Sequence, residues 1–301
     1  MASISETSAW PNHMTLRGID RVFFNEWTQR KKIGRSIFNV KSSDQYREHN
    51  LTVGGVGLMQ QISEGEGLTY ISNNEGFLTT YTHLDWGNGM RATRRVKRED
   101  LYGTMEKSAA ELARSADATE ETTLANHFNR GFSASYTGAD GVELFSLLHV
   151  REDGSTWANE PTSDADLSQT SLEQALIDYS DQRDGGGKRI TIEPESLIVP
   201  KELQFEAARY MKSTLSPEND TNAVNPVSGM LKVITWQYLT DTDAWFIASK
   251  KRDHGLMLYT REEPWTDYIE DFDTKDTKVS VMYAQSSGWS FPQGLWGSTG
   301  A

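Results

Sequence analysis

Ser146 and His149 lie three residues apart in DGVELFSLLHV, residues 140–150, with Asp140 close upstream. These are the residue types of a nucleophile, its base and the carboxylate that orients the base. The spacing argues against that chemistry. Gly141 and the β-friendly run after it favour a strand over 142–150, and an odd offset along a strand sends two side chains to opposite faces. GFSAS (131–135) approaches a nucleophile elbow but carries Ser135 where a glycine must relieve the tight turn. The triplet Gly54, Gly55, Gly57 begins a dinucleotide fingerprint that Gln60 breaks. GGGKR (185–189) lacks the upstream glycine and the following Ser or Thr of a phosphate loop. The six histidines, His13, His49, His83, His127, His149 and His254, form no pair at metal-ligand spacing. Acidic groups such as Asp164/Asp166, Asp241/Asp243 and Asp271/Asp273/Asp276 lack the full spacing of a calcium loop and read as acidic turns. No catalytic, cofactor-binding or metal residue is expected, and no enzyme.

Composition narrows the field further. The 301 residues contain no cysteine, which removes disulfides, thiol nucleophiles and cysteine-held metals, and fits a reducing cytoplasm. No run of 18 apolar residues suggests a membrane span, and MASISETSAWPNHM has neither the basic nor the apolar part of a secretory signal. A formal charge of −13 argues against a surface devoted to gripping nucleic acid. Two basic clusters stand out locally: Arg30, Lys31, Lys32 and Arg35, then Arg91, Arg94, Arg95, Lys97 and Arg98. Each reads first as a solvated face balancing nearby acids, and second as a patch for nucleic acid or an acidic partner.

The elements that would position these residues are unevenly spread. Residues 1–48 are polar with scattered aromatics and no sustained period, as in a segment that gains order against something else. Residues 51–86, with turn signals at EGEG and NNEG, read as a long hairpin-like excursion. From about 99 to 130, Leu101, Met105, Ala109, Leu112 and Ala116 recur at helical spacing, and Leu124 and Phe128 resume it. One helix of that length would extend about 45 Å, which implies a flat or elongated molecule. A second helix is expected from Thr170, capped through Glu173, and a third after Pro200. RITI, SLIV, LKVITWQYL, AWFIAS, GLMLYTR and KVSVMYA read as strands, the last with Val279, Val281 and Tyr283 on one face. The fold class is α+β.

Three stretches of the C-terminal half, DADLSQTSLEQALIDYSDQRDGGGKRITIEPESLIVPKELQFEAARYMKST, NPVSGMLKVITWQYLTDTDAWFIAS and SGWSFPQGLWGSTGA, resemble the major capsid proteins of tailed bacteriophages. EDLYGTMEKSAAELARSADATEETTLANHFNRGFSASYTGADGVELFS is similar to the long helix of that family and the strand after it. The resemblance covers roughly residues 20–301 and rests on order and spacing rather than one strict motif. It implies the Hong Kong-type capsid fold. On that basis 1–48 is an N-terminal arm, 49–88 an extended loop reaching over a neighbouring subunit, and 89–149 a peripheral domain with a spine helix. Residues 150–263 would form an axial domain whose tips meet at five-fold and six-fold axes, and 264–301 would return to the peripheral domain.

The resemblance implies a shell of pentamers and hexamers around double-stranded DNA, assembled in the cytoplasm of a bacterial host. Its partners would be further copies of the chain, a separate scaffolding protein, a portal, and a cement or decoration protein. Trp27, Phe38, Phe77, Trp86, Trp289, Phe291 and Trp296 are candidate intersubunit contacts. Arg91, Arg94, Arg95, Lys97 and Arg98 would form an interior patch meeting scaffold or DNA without sequence preference. Some relatives weld their shells through a lysine in the extended loop, but no lysine lies between Lys41 and Lys97, so non-covalent stabilisation is expected. No scaffolding extension of about a hundred residues precedes the arm, which also points to a separate scaffold. The rivals are an encapsulin-type cellular nanocompartment shell, a tail or decoration protein, and a soluble serine hydrolase using Ser146, Ser133 or His149.

Overall fold

A computed structural model describes residues 10–55, 58–59, 61–68, 70, 75–99, 103–151, 154–216 and 223–301, with the side chains of all but 10–17, 97 and 98. The chain begins with helices α1 (Trp10–Gln29) and α2 (Ile33–Ile37), followed by strands β1 (Asn39–Ser42), β2 (Arg47–Val53), β3 (Glu75–Thr82) and β4 (Leu84–Ala92). Helices α3 (Arg94–Glu99) and α4 (Thr104–Asn129) come next, then two short strands, β5 (His149–Val150) and β6 (Thr156–Trp157). The remainder is α5 (Gln169–Ser180), β7 (Pro194–Val199), α6 (Gln204–Lys212), β8 (Lys232–Thr235), β9 (Trp245–Ser249), β10 (Leu256–Glu270), β11 (Thr277–Trp289) and β12 (Leu295–Ser298).

Two four-stranded sheets organise these elements, one in the order β1-β10-β11-β4 and the other β12-β9-β7-β8, while β2 and β3 pair as a separate hairpin. On β11, Val279, Val281 and Tyr283 turn inward while Lys278 and Met282 stay exposed, as period-two patterning requires. The inward face packs on α1 and α4. Ile19 joins Met105, Ala109 and Val279, whereas Phe23 and Trp27 join Leu112, Ala113, Ala116, Val281 and Tyr283, so the two helices run in the same direction. Three alanines on α4 leave room for those rings. The C-terminal half of α4 enters the junction between the sheets, where Leu124 and Phe128 share a core with Phe145, Ile198, Trp236, Phe246 and Leu258. A second core under α5 and α6 contains Leu172, Tyr179, Leu197, Tyr210, Trp245 and Trp296.

Several expectations need correction. Residues 10–29 are helical because Ile19, Phe23 and Trp27 recur every fourth position, a stripe masked by the polar residues around it. The long helix is α4, which starts at Thr104 beyond Gly103, whose φ of 63° favours glycine, rather than at about 99, and ends at Asn129. Its 26 residues reach about 39 Å at 1.5 Å each. Helix α5 is capped by Ser168, whose side chain accepts from Ser171 N in a reciprocal box, rather than by Thr170 and Glu173. Helix α6 starts at Gln204, not directly after Pro200. RITI forms no strand beyond a single bridge between Arg183 and Arg189, and 142–148 is irregular. Strand β10 enters the first sheet at Leu256, before the expected return at 264, and β12 pairs with β9 in the other sheet. The last residues therefore tie the two sheets together.

Candidate functional site

The histidine of the Asp140–Ser146–His149 group is fully engaged. His149 has no solvent exposure, its Nδ1 lies 2.7 Å from Asp140 Oδ2, and its Nε2 lies 3.2 Å from Asn159 Oδ1. Asn159 Nδ2 donates to Leu144 O, and its Oδ1 also accepts from Ser146 N, which fixes the amide with its oxygen toward the imidazole. Both ring nitrogens thus face acceptors. Ser146 Oγ donates instead to Glu143 at 2.9 Å. No nucleophile–base pair exists there; the group staples 140–159 together, with His149 stacked on Trp157.

Sequence reasoning missed the polar centre of the molecule, where Asp117, Glu120 and Glu121 of α4 are all buried. Arg35 spans Glu120, at 2.6 and 2.9 Å, and Glu263 of β10, at 3.0 and 3.2 Å. Glu121 accepts from Gly34 N and from Trp236 Nε1, so one carboxylate holds α2, α4 and the chain leaving β8. Burial holds the Asp117 and Glu121 carboxyls above the usual range, against the pull of their partners. Lys32 lies over the Trp27 ring, and burial lowers it to about 8. The first basic cluster is therefore the counterpart of buried acids. The signal was available: ADATEETT interrupts the apolar stripe of α4 opposite that cluster.

The expected contact aromatics divide into two groups. Trp27, Phe38 and Trp296 are buried within their own subunit, against α4, Phe128 and Trp245 respectively, and as placed they offer no surface to a neighbour. Phe77, Trp86, Trp289 and Phe291 are half-buried and line two cavities beside the β2–β3 hairpin. Further out, the hairpin exposes Leu51, Val53, Leu58, Met59, Ile62, Leu68 and Tyr70, Met59 completely. The far end of β10–β11 exposes Trp265, Tyr268, Ile269, Phe272 and Met282. Such clustered apolar exposure marks interaction surface.

A cleft of about 690 Å³ runs between β3, the C-terminal half of α4 and the end of β11. Gln285 lies on its floor, 2% exposed, with neither the oxygen nor the nitrogen of its amide bonded among the described residues, and the Trp289 Nε1 in its wall is likewise unbonded there. Among the described residues no acidic side chain lines the cleft, and Arg130 stands at its rim. In the second basic cluster Arg91 is bound to Asp276 Oδ2 at 2.6 Å, which holds that carboxyl below its usual range. Arg94 and Arg95 are exposed, Arg95 bonded to Glu99 within its own helix, while the side chains of Lys97 and Arg98 lie outside the described residues.

A family model described as phage capsid protein matches residues 77–296. No curated protein matches the chain by sequence. In fold it is similar to the capsid of cyanophage P-SCSP1u, with a TM-score of 0.61 at 10% identity over 89% of this chain and 88% of that one. It is similar also to the procapsid of bacteriophage JBD30, with a TM-score of 0.56 at 12% identity over 100% and 77% of the two chains. A virus-like particle from Pyrococcus furiosus shares the fold too, with a TM-score of 0.53 at 9% identity over 93% and 98%.

Proposed function

The chain belongs to the phage capsid protein family, and its work is to build the icosahedral shell of a phage head; from that premise we propose how its copies tile. Copies form pentamers and hexamers, with the second sheet and its helices α5 and α6 as the axial domain. The α1–α4 layer on the first sheet forms the peripheral domain. The tip of one copy's β2–β3 hairpin seats in the cleft of the next, a head-to-tail contact that closes into rings.

One observation carries this reading. From 48 to 90 the chain has no Lys or Arg and bears Glu48, Glu64, Glu66, Glu75 and Asp85, while the cleft has no acid among the described residues and presents Arg130. An acidic tip with exposed apolar side chains fits a cleft with a cation at its rim and unbonded amide and indole groups within. Supporting partners are a separate scaffolding protein, a portal and a decoration protein, with assembly in the bacterial cytoplasm. Arg94 and Arg95 face the interior and meet DNA phosphates.

Charge exchange tests the tip-to-cleft contact. Arg130→Glu alone, and Glu64→Lys with Glu66→Lys alone, should each cut particle yield several-fold, and the combination should restore it. Loss in the single reversals without recovery in the combination would reject the contact.

A further inference from the structure

We propose that Gly55 and Gly186 form a backbone crossing that sets the angle at which the β2–β3 hairpin leaves the body, making both positioning residues for assembly. A Cβ added at Gly186 would fall well inside contact distance of the Gly55 carbonyl oxygen, and one added at Gly55 would collide with the Asp184 carboxylate. The obstruction at Gly186 is backbone, which cannot rotate away as a side-chain end could. The turn carrying Gly186 is braced. Asp184 N donates to Lys188 O at 2.8 Å, Lys188 N donates to Asp184 Oδ1 at 2.8 Å, and Gly187 N donates to Asp184 O at 3.0 Å. Lys188 Nζ adds an ion pair to Asp184 Oδ2 at 3.4 Å.

The hairpin is also held nearer its base, where Asn50 Nδ2 donates to Ser290 Oγ and Tyr81 OH meets the same oxygen, both at 2.7 Å. A cavity of about 420 Å³, lined by Leu51, Val53, Phe77, Trp157, Trp289 and Phe291, accompanies these two supports. The hairpin therefore behaves as a lever, with Ser290 as its pivot and Gly186 as its stop. Gly55 of VGGVG and Gly186 of DGGGK, segments that match no phosphate-binding or dinucleotide pattern, acquire a role through this close approach. A methyl group at the stop should swing the exposed end around Met59 while leaving both cores intact. The geometry stands on the subunit alone; its consequence for shells rests on the reading above.

The absence of native cysteine makes the angle measurable. Nitroxides on Met59→Cys and Ser180→Cys report the distance from hairpin to body by pulsed electron resonance. Gly186→Ala, and independently Gly55→Ala from the other side of the contact, should shift that distance by several ångströms with unchanged melting temperature. Gly67→Ala, whose Cβ meets nothing within 4 Å, should not. Electron microscopy of the two crossing variants without labels should then show fewer particles or a broadened diameter. A distance distribution that superimposes on the parent in both variants overturns the crossing. A shifted distance with unaltered particles overturns its role in assembly, and a parent that forms no particles counts against the functional reading instead.

Discussion

Glu121 is the residue on which most of the interior converges. Glu121→Ala strands two buried donors, Gly34 N and Trp236 Nε1, at roughly 1–3 kcal/mol each. The variant should unfold at markedly lower urea, with Glu121→Gln falling less because its amide oxygen still accepts. Two histidines, the buried His254 and the half-buried His127 of the cleft wall, contribute to the response to acid. His254 Nδ1 accepts from Leu256 N at 3.2 Å, and burial lowers this ring from 6.5 to about 4, against backbone hydrogen bonds and with Asp253 and Lys251 as nearby charges. His127, which faces Ser287 and Trp289, is lowered to about 4 for the same reason. A depressed histidine contributes stability that is present above 6.5 and lost as pH falls toward 4, because the unfolded chain takes the proton first. Asp117 and Glu121 act in the opposite sense, since their raised folded values favour proton uptake by the native state. His254→Asn keeps an acceptor for Leu256 N and removes the proton site. It should therefore flatten the stability–pH curve between 6.5 and 4; an unchanged slope would show that the ring is not the sensor.

At the scale of elements, α1 packs intramolecularly. Trp27→Ala should cost about 3–5 kcal/mol in the isolated subunit, as expected for a buried indole; a loss seen only in assembled particles would place Trp27 between subunits. With no lysine from 42 to 96, the hairpin supplies no amine for an isopeptide bond, so boiled particles should run as single chains on denaturing gels. A ladder would refute this. β11 and the core of α4 were legible from a regularly buried face, and β9 and the start of β10 from short continuous apolar runs, buried throughout. The break at Gly103, the Ser168 cap and the irregular 142–148 segment were not. Local hydrogen bonds decide them, as where Ser171 rather than Glu173 completes the box. The polar stitching of α4 showed in the sequence only as the ADATEETT break in the apolar stripe; its partner did not, because Arg35 and Glu120 are 85 residues apart and only the fold brings them together.

For the whole molecule, the apolar hairpin, the open cleft and the exposed end of β10–β11 are surfaces that a second copy can cover and a lone subunit leaves wet. Modest contacts repeated by symmetry suffice to close a shell. The net charge of −13 disfavours duplex binding over most of the surface, so the proposed contact with DNA would fall to the local patch at Arg94 and Arg95. Arg94→Glu with Arg95→Glu should leave the fold intact while weakening retention of DNA in particles and its salt dependence; unaltered salt dependence would remove the patch from that role. The capsid family was legible from the order of its segments, whereas which aromatics face outward was not, since Phe38 and Phe77 differ in placement rather than in type. The most direct test is cryo-electron microscopy of the purified, expressed chain alone and with the proposed scaffolding protein. Closed icosahedral particles with one copy's hairpin tip lying in the next copy's cleft are the expected result. A stable monomer under both conditions, or particles in which that cleft stays open to solvent, would contradict the account.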